Sequence, residues 1–224
     1  MGACERDWRE HEEFFSKKIS VPRETYAEKD LLYIMKKFEE KKFVIPKLKG
    51  ISEKNVKEHL KLYAGYVKNA NLILEKTEEN ELQRRFGFEF NGMRNHEHYF
   101  AQFENGPKAL SKSGELFEML GQKQEFGSFE TWLEKFKNLA LTRGIGWAML
   151  YYDPLTKRLL NVWVDEQHIG QLNGCQTILA LDMWEHAYVT DYQPSGKKNY
   201  IEDFFTNLNW EVVERNFKHI PKKY

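Results

Sequence analysis

The chain has 224 residues, which is enough for one large domain or two lobes with a substantial core. Its 34 basic and 34 acidic side chains balance, so overall charge gives no reason to expect nucleic acid or an anionic membrane as a partner. No apolar run reaches membrane-spanning length, and the first thirty residues contain no hydrophobic signal core. Cys4 and Cys175 form neither a disulfide framework nor a CxxC motif, so a reducing cytoplasm is the expected compartment.

Residues 1–42 are predicted to form an N-terminal charged helical extension. One or two helices are expected, because Val-Pro-Arg-Glu at 21–24 separates two charged stretches. In the second stretch, apolar residues recur with helical spacing between Leu31 and Phe38. The extension covers one face of the protein, extends an oligomer or is a solvated helical arm, and the pattern does not choose among these. Residues 43–50 should follow as an extended segment.

Residues 43–107 are predicted to form a helical hairpin domain. Ser52 suits the N-cap of a helix that continues to about residue 77. A second helix should span about 79–103, because Asn-Gly-Pro at 105–107 ends the pattern.

Residues 108–224 are predicted to form an α+β domain. Ser128 caps a helix, and three strand-like runs follow: GWAMLYYD, RLLNVWV and QTILALD. Two short helices, near 199–207 and 210–217, end the chain. The prediction is therefore an α+β fold, with an N-terminal long helical hairpin and a C-terminal three-stranded antiparallel sheet flanked by helices.

Two histidines lie on the inward stripes of the two long helices. The first stripe includes His59 and Tyr66, and the second includes His96. His98 is about 200° around the helix from His96 and should face outward. A single histidine on such a stripe is more often a hydrogen-bonded core residue than a ligand, but two on neighbouring helices favour a shared site.

The segment DMWEHAY at 182–188 adds a carboxylate and an imidazole four residues apart. Asp182 and His186 should meet on one side of a helical turn. With His59 and His96 they give three imidazoles and one carboxylate, a set that suits iron or manganese with an open coordination position. Zinc, non-haem iron hydroxylation and an ordinary buried Asp–His pair stay open on chemistry alone.

Several motifs, in the right order, resemble the iron/manganese superoxide dismutase family over roughly residues 43–218. They are EHLKLYAGYVKN, RNHEHYF, GIGWAML, DMWEHAY and NLNW. The resemblance implies one metal ion, with water or hydroxide as a fifth ligand, held by four side chains: His59, His96, Asp182 and His186.

The resemblance also implies an activity. Superoxide would be converted to oxygen and hydrogen peroxide by M(III)/M(II) cycling, with Tyr66 and Gln167 as the proton relay. The alternative within the family is a catalytically weak metal-binding or scaffold relative. A different mononuclear redox enzyme, such as an oxygenase, has little support because no organic-substrate pocket motif is evident.

Further residues take expected roles from the same resemblance. Trp147, Trp184 and Trp210 would wall the site. Glu185 would reach across a homodimer interface to His186 of the partner subunit and fix that ring. A higher oligomer stays open.

The chain departs from the usual family pattern beside the expected relay. His59 precedes Tyr66 by seven residues, whereas eight separate the two in most relatives, so we expect a regular helix without the bulge that eight residues require. The usual channel-gate histidine is replaced by Leu62, and the tyrosine that often follows Ala-Tyr is Val189. Tyr63 is a candidate to occupy part of the gate.

Two further positions bear on substrate and metal. Lys197 and Lys198 stand near the place of the family's channel-mouth arginines and would steer the substrate, although a solvated surface pair is the competing interpretation. Gly92 and Gln167 follow the manganese-type pattern, with the solvent-binding amide in the C-terminal half. One manganese ion per subunit is therefore expected, and iron or dual use stays open.

Overall fold

Two long helices precede a three-stranded antiparallel sheet, which confirms the predicted α+β fold. The structure is a computed structural model that describes residues 37–76 and 79–218. In that part of the chain the helices are α1 (Glu53–Leu74), α2 (Asn80–Ala101), α3 (Glu115–Gly121), α4 (Phe129–Ala140), α5 (Glu185–Tyr192), α6 (Lys197–Asn207) and α7 (Trp210–Lys218). The strands are β1 (Gly146–Asp153), β2 (Arg158–Asp165) and β3 (Gln176–Asp182).

The N-terminal extension is described only at its end. Residues 1–36 lie outside the described residues, and residues 37–48 form no helix or strand, so the predicted helix does not continue to residue 42. The Phe38 backbone N–H donates to Asn71 Oδ1 at 2.8 Å, and Asn71 Nδ2 donates back to the Phe38 carbonyl at 2.9 Å. This reciprocal pair fastens the segment to α1.

Helix α1 begins as its sequence predicts. The Ser52 hydroxyl accepts a hydrogen bond from the Asn55 backbone N–H at 3.1 Å, which satisfies one of the free donors of the first turn. The helix is α-helical throughout, without a π-bulge. The expectation of a regular helix between His59 and Tyr66 is confirmed, so both residues lie on nearly the same face.

Helix α2 packs antiparallel to α1 and ends where Asn-Gly-Pro was expected to end it. Asn105 and Gly106 adopt φ values of 60° and 80°, the left-handed conformation that these two residue types tolerate best. His96 is fully buried. His98 is only partly buried, although burial lowers its pKa to about 4, so its side chain is less exposed than an outward-facing position led us to expect.

The sheet has the order β2-β1-β3, with β1 in the centre and antiparallel to both neighbours. Met149 of β1 lies opposite Val162 on one side and Ala180 on the other. The first six residues of β1 are all buried, as expected of a central strand covered on both faces.

The hairpin is joined to the sheet by one side chain of the α2 C-cap. Gln102 Nε2 donates to the Ala180 carbonyl at 2.8 Å, and the Ala180 N–H donates to Gln102 Oε1 at 2.9 Å. Both residues are fully buried. A helix end is thereby held at a fixed distance from strand β3, whose last residue enters the candidate site.

Helices α6 and α7 follow the predicted positions within two residues, and α4 begins where it was predicted to begin. The Ser128 hydroxyl caps α4 by accepting from the Thr131 N–H at 3.0 Å. The short helix α3 was not predicted. Within residues 37–76 and 79–218, no helix is both long and apolar enough to span a bilayer.

Candidate metal centre

Four side chains from three regions of the chain converge on one point. The Nε2 atoms of His59 and His186 each lie 3.2 Å from Asp182 Oδ2, and His96 Nε2 lies 3.6 Å from it. All four donor atoms lie within 4.8 Å of one another. Donors that share one first-row metal ion are typically about 3–4 Å apart, because each bond is about 2 Å long.

A turn between strand β3 and helix α5, and not the predicted single helical turn, brings Asp182 and His186 together. Asp182 is the last residue of β3, and α5 begins only at Glu185. The Trp184 N–H donates to Asp182 Oδ1 at 2.8 Å, which closes the turn between strand and helix. The prediction of a single helical turn is corrected to a strand-to-helix turn. The Asp182 carbonyl also accepts from the Tyr200 hydroxyl at 2.9 Å.

The orientation of His96 shows that its Nε2 is a free electron-pair donor. His96 Nδ1 lies 2.6 Å from the Gly92 carbonyl, which can only accept, so Nδ1 carries the hydrogen and Nε2 does not. Nε2 is buried and has no hydrogen-bond partner among the described residues. A buried acceptor without a partner is costly, and a metal ion would satisfy it. The residues present therefore fit the metal that the resemblance implies.

The electrostatics of His59, His96 and Asp182 favour the charge states that bind metal. Burial lowers the pKa of His59, and burial lowers the pKa of His96 to about 3, so both imidazoles are neutral at pH 7. Burial alone would raise the pKa of Asp182. The electrostatic interaction with His186 and the hydrogen bonds from His186 and His59 outweigh it and hold the pKa of Asp182 below its usual range. The carboxylate is therefore ionised.

A chain of hydrogen bonds runs beside the four donors. Trp147 Nε1 donates to Gln167 Oε1 at 3.0 Å, and Gln167 Nε2 donates to the Tyr66 hydroxyl oxygen at 3.1 Å. The Tyr66 ring lies 5.0 Å from the His96 ring and the Trp147 ring 5.1 Å from it. The structure thus brings the two predicted relay residues together next to a predicted ligand.

The Tyr66 hydroxyl is held in its protonated form. Burial raises its pKa, and the charges of Asp182 and Glu89 raise it further. Arg85 and the hydrogen bond from Gln167 act in the opposite direction but do not cancel the rise. A protonated phenol that accepts a bond from Gln167 keeps its own O–H to donate elsewhere.

The main chain of Gln167 is fixed by residues that sequence analysis missed. Asn95 Nδ2 donates to the Gln167 carbonyl at 2.9 Å, and Gln171 Nε2 donates to the same oxygen at 3.0 Å. Gln171 Nε2 also reaches Asn95 Oδ1 at 3.0 Å. The Asn of the RNHEHYF motif was the available signal, since a buried amide one residue before a ligand requires a partner.

Gly92 leaves no room for a side chain on α2. A Cβ there would lie 2.5, 2.7 and 2.9 Å from three ring carbons of Tyr66. A glutamine at this position would displace Tyr66 from its bond with Gln167. The amide beside the site is thus supplied from the loop after β2.

Two of the three predicted tryptophans border the donors. Trp147 contacts His96, and the Trp184 ring stacks on His186 with centroids 5.7 Å apart. Trp210 packs elsewhere, in a separate aromatic cluster with Phe129, Trp132 and Phe205. Its expected place in the wall of the site is corrected, because Trp210 begins helix α7 and packs there against aromatic rings of α4 and α6.

The remaining predicted site residues are the steering lysines and Glu185. Lys197 Nζ donates to the Thr142 carbonyl at 2.7 Å and lies over the Trp163 ring, while Lys198 is exposed. Glu185 is exposed at the first residue of α5.

The expected gate positions differ in exposure. Leu62 is exposed and Val189 is partly buried. Tyr63 is buried, and its hydroxyl accepts from the Lys41 N–H at 2.8 Å and lies 3.4 Å from Glu97 Oε1. These contacts direct the phenol of Tyr63 toward the segment before α1.

Comparison with known proteins agrees with this geometry. The family model described as iron/manganese superoxide dismutases, C-terminal domain, matches residues 112–216. A superoxide dismutase (Fe) from Pyrobaculum aerophilum is 34% identical over 171 residues, covering 71% of this chain and 80% of that protein. A superoxide dismutase (Mn/Fe) from Aeropyrum pernix is 33% identical over 171 residues, covering 71% of this chain and 79% of the relative.

A third relative is more similar over a shorter stretch. A superoxide dismutase (Mn) from Haloarcula marismortui is 41% identical over 105 residues, which is 47% of this chain and half (50%) of that protein. The names of these relatives give iron, manganese or both as the metal, so the comparison does not identify which metal this chain binds. The shared sequence and the converging His and Asp side chains lead to one conclusion: the chain belongs to the iron/manganese superoxide dismutase family.

Proposed function

We propose that the protein is a superoxide dismutase that binds one metal ion through His59, His96, Asp182 and His186. The observation that carries the proposal is the buried, unpartnered Nε2 of His96 beside three further donors. A manganese or iron ion held there would supply a one-electron couple that superoxide can both reduce and oxidise. The names of the relatives support this activity.

The protein's own contribution is to hold protons at defined atoms. Trp147 Nε1 can only donate, so its bond fixes Oε1 of Gln167 as the acceptor and turns Nε2 toward Tyr66. The Tyr66 O–H is then free to serve as a donor, because its oxygen already accepts from Gln167. Formation of peroxide consumes two protons. The Tyr66 ring lies 5.0 Å from the His96 ring, so its O–H is the proton donor that we assign to the relay.

The second contribution of the protein to the proposed reaction is the burial of the donors and of Gln167. His59, His96, Asp182 and Gln167 are each at most 2% exposed. The polar groups that face the donors are therefore preorganised and screened little by water, which strengthens their effect on a bound charge.

We propose manganese as the preferred metal and iron as an alternative. Support comes from Gln167, which lies in the C-terminal half as in manganese-type relatives, and from Gly92, whose contact with Tyr66 leaves no space for the iron-type glutamine. Both arguments concern the amide and not the four donors, which suit either ion.

We also propose a homodimer in which Glu185 contacts His186 of the partner subunit. Glu185 is exposed, and the His186 side chain is 21% exposed, whereas the other three donors are buried. A carboxylate from outside the chain would hold the remaining ring nitrogen of His186 and fix its tautomer. Sedimentation equilibrium of wild type and Glu185→Ala tests this, and an unchanged dimer fraction would contradict it.

The activity is tested by removing all metal and reloading the protein separately with manganese and with iron. Bound metal is counted, and superoxide consumption is measured per bound ion. Fast turnover with manganese supports the whole proposal, and fast turnover with iron alone supports the function with the other metal. Stoichiometric binding without turnover would favour the second candidate, a metal-binding relative without activity. That candidate is considered because Leu62 and Val189 replace the usual gate residues.

A further inference from the structure

The exposure of the site residues shows from which side a small molecule reaches the four donors. His59, His96 and Asp182 are buried, while Tyr66, Trp184 and His186 are partly exposed. Because His186 is the ring proposed above to meet the partner subunit, we take the approach to the donors to pass Tyr66 and Trp184, beside the face of α2 that carries Phe88.

Phe88 lies at the centre of that approach. Its ring centroid is 6.0 Å from that of Tyr66, 6.5 Å from that of Trp184 and 5.8 Å from that of His168. Phe88 is one helical turn after Arg85 on α2, and the Arg85 guanidinium carbon lies 3.7 Å from the Phe88 ring centroid. The stacking is a cation–π contact that holds the guanidinium on the outer side of Phe88.

The Arg85 cation is oriented by a buried carboxylate. Arg85 Nε donates to Glu89 Oε1 at 3.0 Å, and Asn69 Nδ2 donates to Glu89 Oε2 at 3.3 Å. The Glu89 side chain is 7% exposed and that of Arg85 is 49% exposed. The pair therefore presents its positive end to solvent, and the bond uses Nε–H and does not require the Nη–H groups.

The lysine expected to steer the substrate is engaged elsewhere. The Lys197 ammonium donates to the Thr142 carbonyl and lies 5.6 Å from the Trp163 ring centroid. Arg84, the neighbour of Arg85, is bonded to the exposed Glu81 on the same helix. Arg85 is thus the cation that the described contacts connect to the approach, through Phe88.

We propose that Arg85, stacked on Phe88, is the residue that draws the anionic substrate to the mouth of the site, a role that rests on the proposed function. A single charge near the approach raises the local concentration of an anion, and salt screens the effect. Glu89 limits this attraction, so removing its charge should strengthen it.

The test compares matched charge changes on neighbouring residues of manganese-reloaded protein. Arg85→Gln should lower kcat/KM for superoxide by about two- to fivefold at about 10 mM ionic strength, and the loss should shrink above about 150 mM. Arg84→Gln, the control with the same charge change, should stay within about 1.5-fold of wild type, because the Arg84 guanidinium is bonded to Glu81 and has no described contact with Phe88. Glu89→Gln, which leaves Arg85 in place, should raise kcat/KM and steepen its salt dependence.

Binding of azide, followed by absorbance, gives a readout that needs no turnover. Its dissociation constant should rise with Arg85→Gln and fall with Glu89→Gln. Equal effects of Arg84→Gln and Arg85→Gln, or a loss that salt does not diminish, would overturn the role of Arg85. If wild type binds metal and azide but consumes no superoxide, the proposed function fails, whereas the azide constants still decide the role of Arg85 in attracting anions.

Discussion

Gly92→Ala is predicted to impair turnover far more than stability. The added Cβ would lie 2.5–2.9 Å from three carbons of the Tyr66 ring, whereas carbon atoms in contact are typically about 3.5–4.0 Å apart. The Tyr66 ring must therefore move by about 1 Å. Such a shift lengthens its 3.1 Å bond with Gln167 beyond hydrogen-bonding distance.

The magnitude follows from two opposing effects on stability and one on catalysis. Overpacking costs about 1–3 kcal/mol, and replacing glycine by alanine inside a helix returns about 1 kcal/mol, so the free energy of unfolding should fall by about 0–2 kcal/mol. Misplacing a catalytic group by about 1 Å can reduce turnover by about 100-fold. We expect kcat to fall by about 10- to 100-fold while the metal content is unchanged.

The assay measures kcat, bound metal and the urea-unfolding free energy of three alanine variants. Gly87 and Gly65 are the matched controls. A Cβ at Gly87 would lie 3.6 Å from His168 Cδ2, an ordinary contact, and a Cβ at Gly65 would meet nothing within 4 Å. Both controls should keep their activity and gain up to about 1 kcal/mol. Wild-type turnover in Gly92→Ala would refute the reasoning.

Four further outcomes are expected. His96→Ala should abolish tight manganese binding while its far-ultraviolet circular dichroism stays native, and isothermal titration that still gives one tight site would contradict the ligand assignment. Tyr66→Phe should reduce kcat about tenfold without loss of metal, and an unchanged kcat across pH 6–9 would remove the hydroxyl from the relay. Gln102→Ala should destabilise the protein by about 2–4 kcal/mol, because the Ala180 N–H and carbonyl both lose buried partners, whereas a loss below about 1 kcal/mol in urea would contradict this. Metal-free protein should lose thermal stability as pH falls below about 6.5. Burial lowers the folded-state pKa of His59 and lowers that of His96 to about 3, so the unfolded chain binds protons before the folded chain does. A constant Tm between pH 7 and pH 4 would show that these rings are not buried in the neutral form.

Much of the hairpin could be predicted because its signals are local. Ser52 caps α1 through its own hydroxyl, and Asn105 with Gly106 ends α2 through conformations that few other residues adopt. The inward positions of His59 and His96 followed from helical periodicity alone. Their convergence with Asp182 was one of several interpretations that the residue chemistry left open, since no local rule relates a strand end to two distant helices. The resemblance selected it.

Other parts of the site depend on contacts distant in sequence. DMWEHAY indicated a helical turn, yet Asp182 pairs with Trp147 in the sheet register, and this pairing extends β3 through Asp182. Trp210 was expected at the site from the resemblance of NLNW to a family motif, but helix packing buries it with Trp132 instead. Arg85 follows Arg84 on the same helix, and only its contacts with Phe88 and the buried Glu89 distinguish it from that neighbour.

The most direct test of the central claim is anomalous diffraction at the manganese edge from crystals of the manganese-reloaded protein. The account predicts one anomalous peak per chain among the side chains of His59, His96, Asp182 and His186, with the Gln167 amide on the side of Tyr66. A peak bound by other residues, or stoichiometric manganese without a peak among these four, would contradict it.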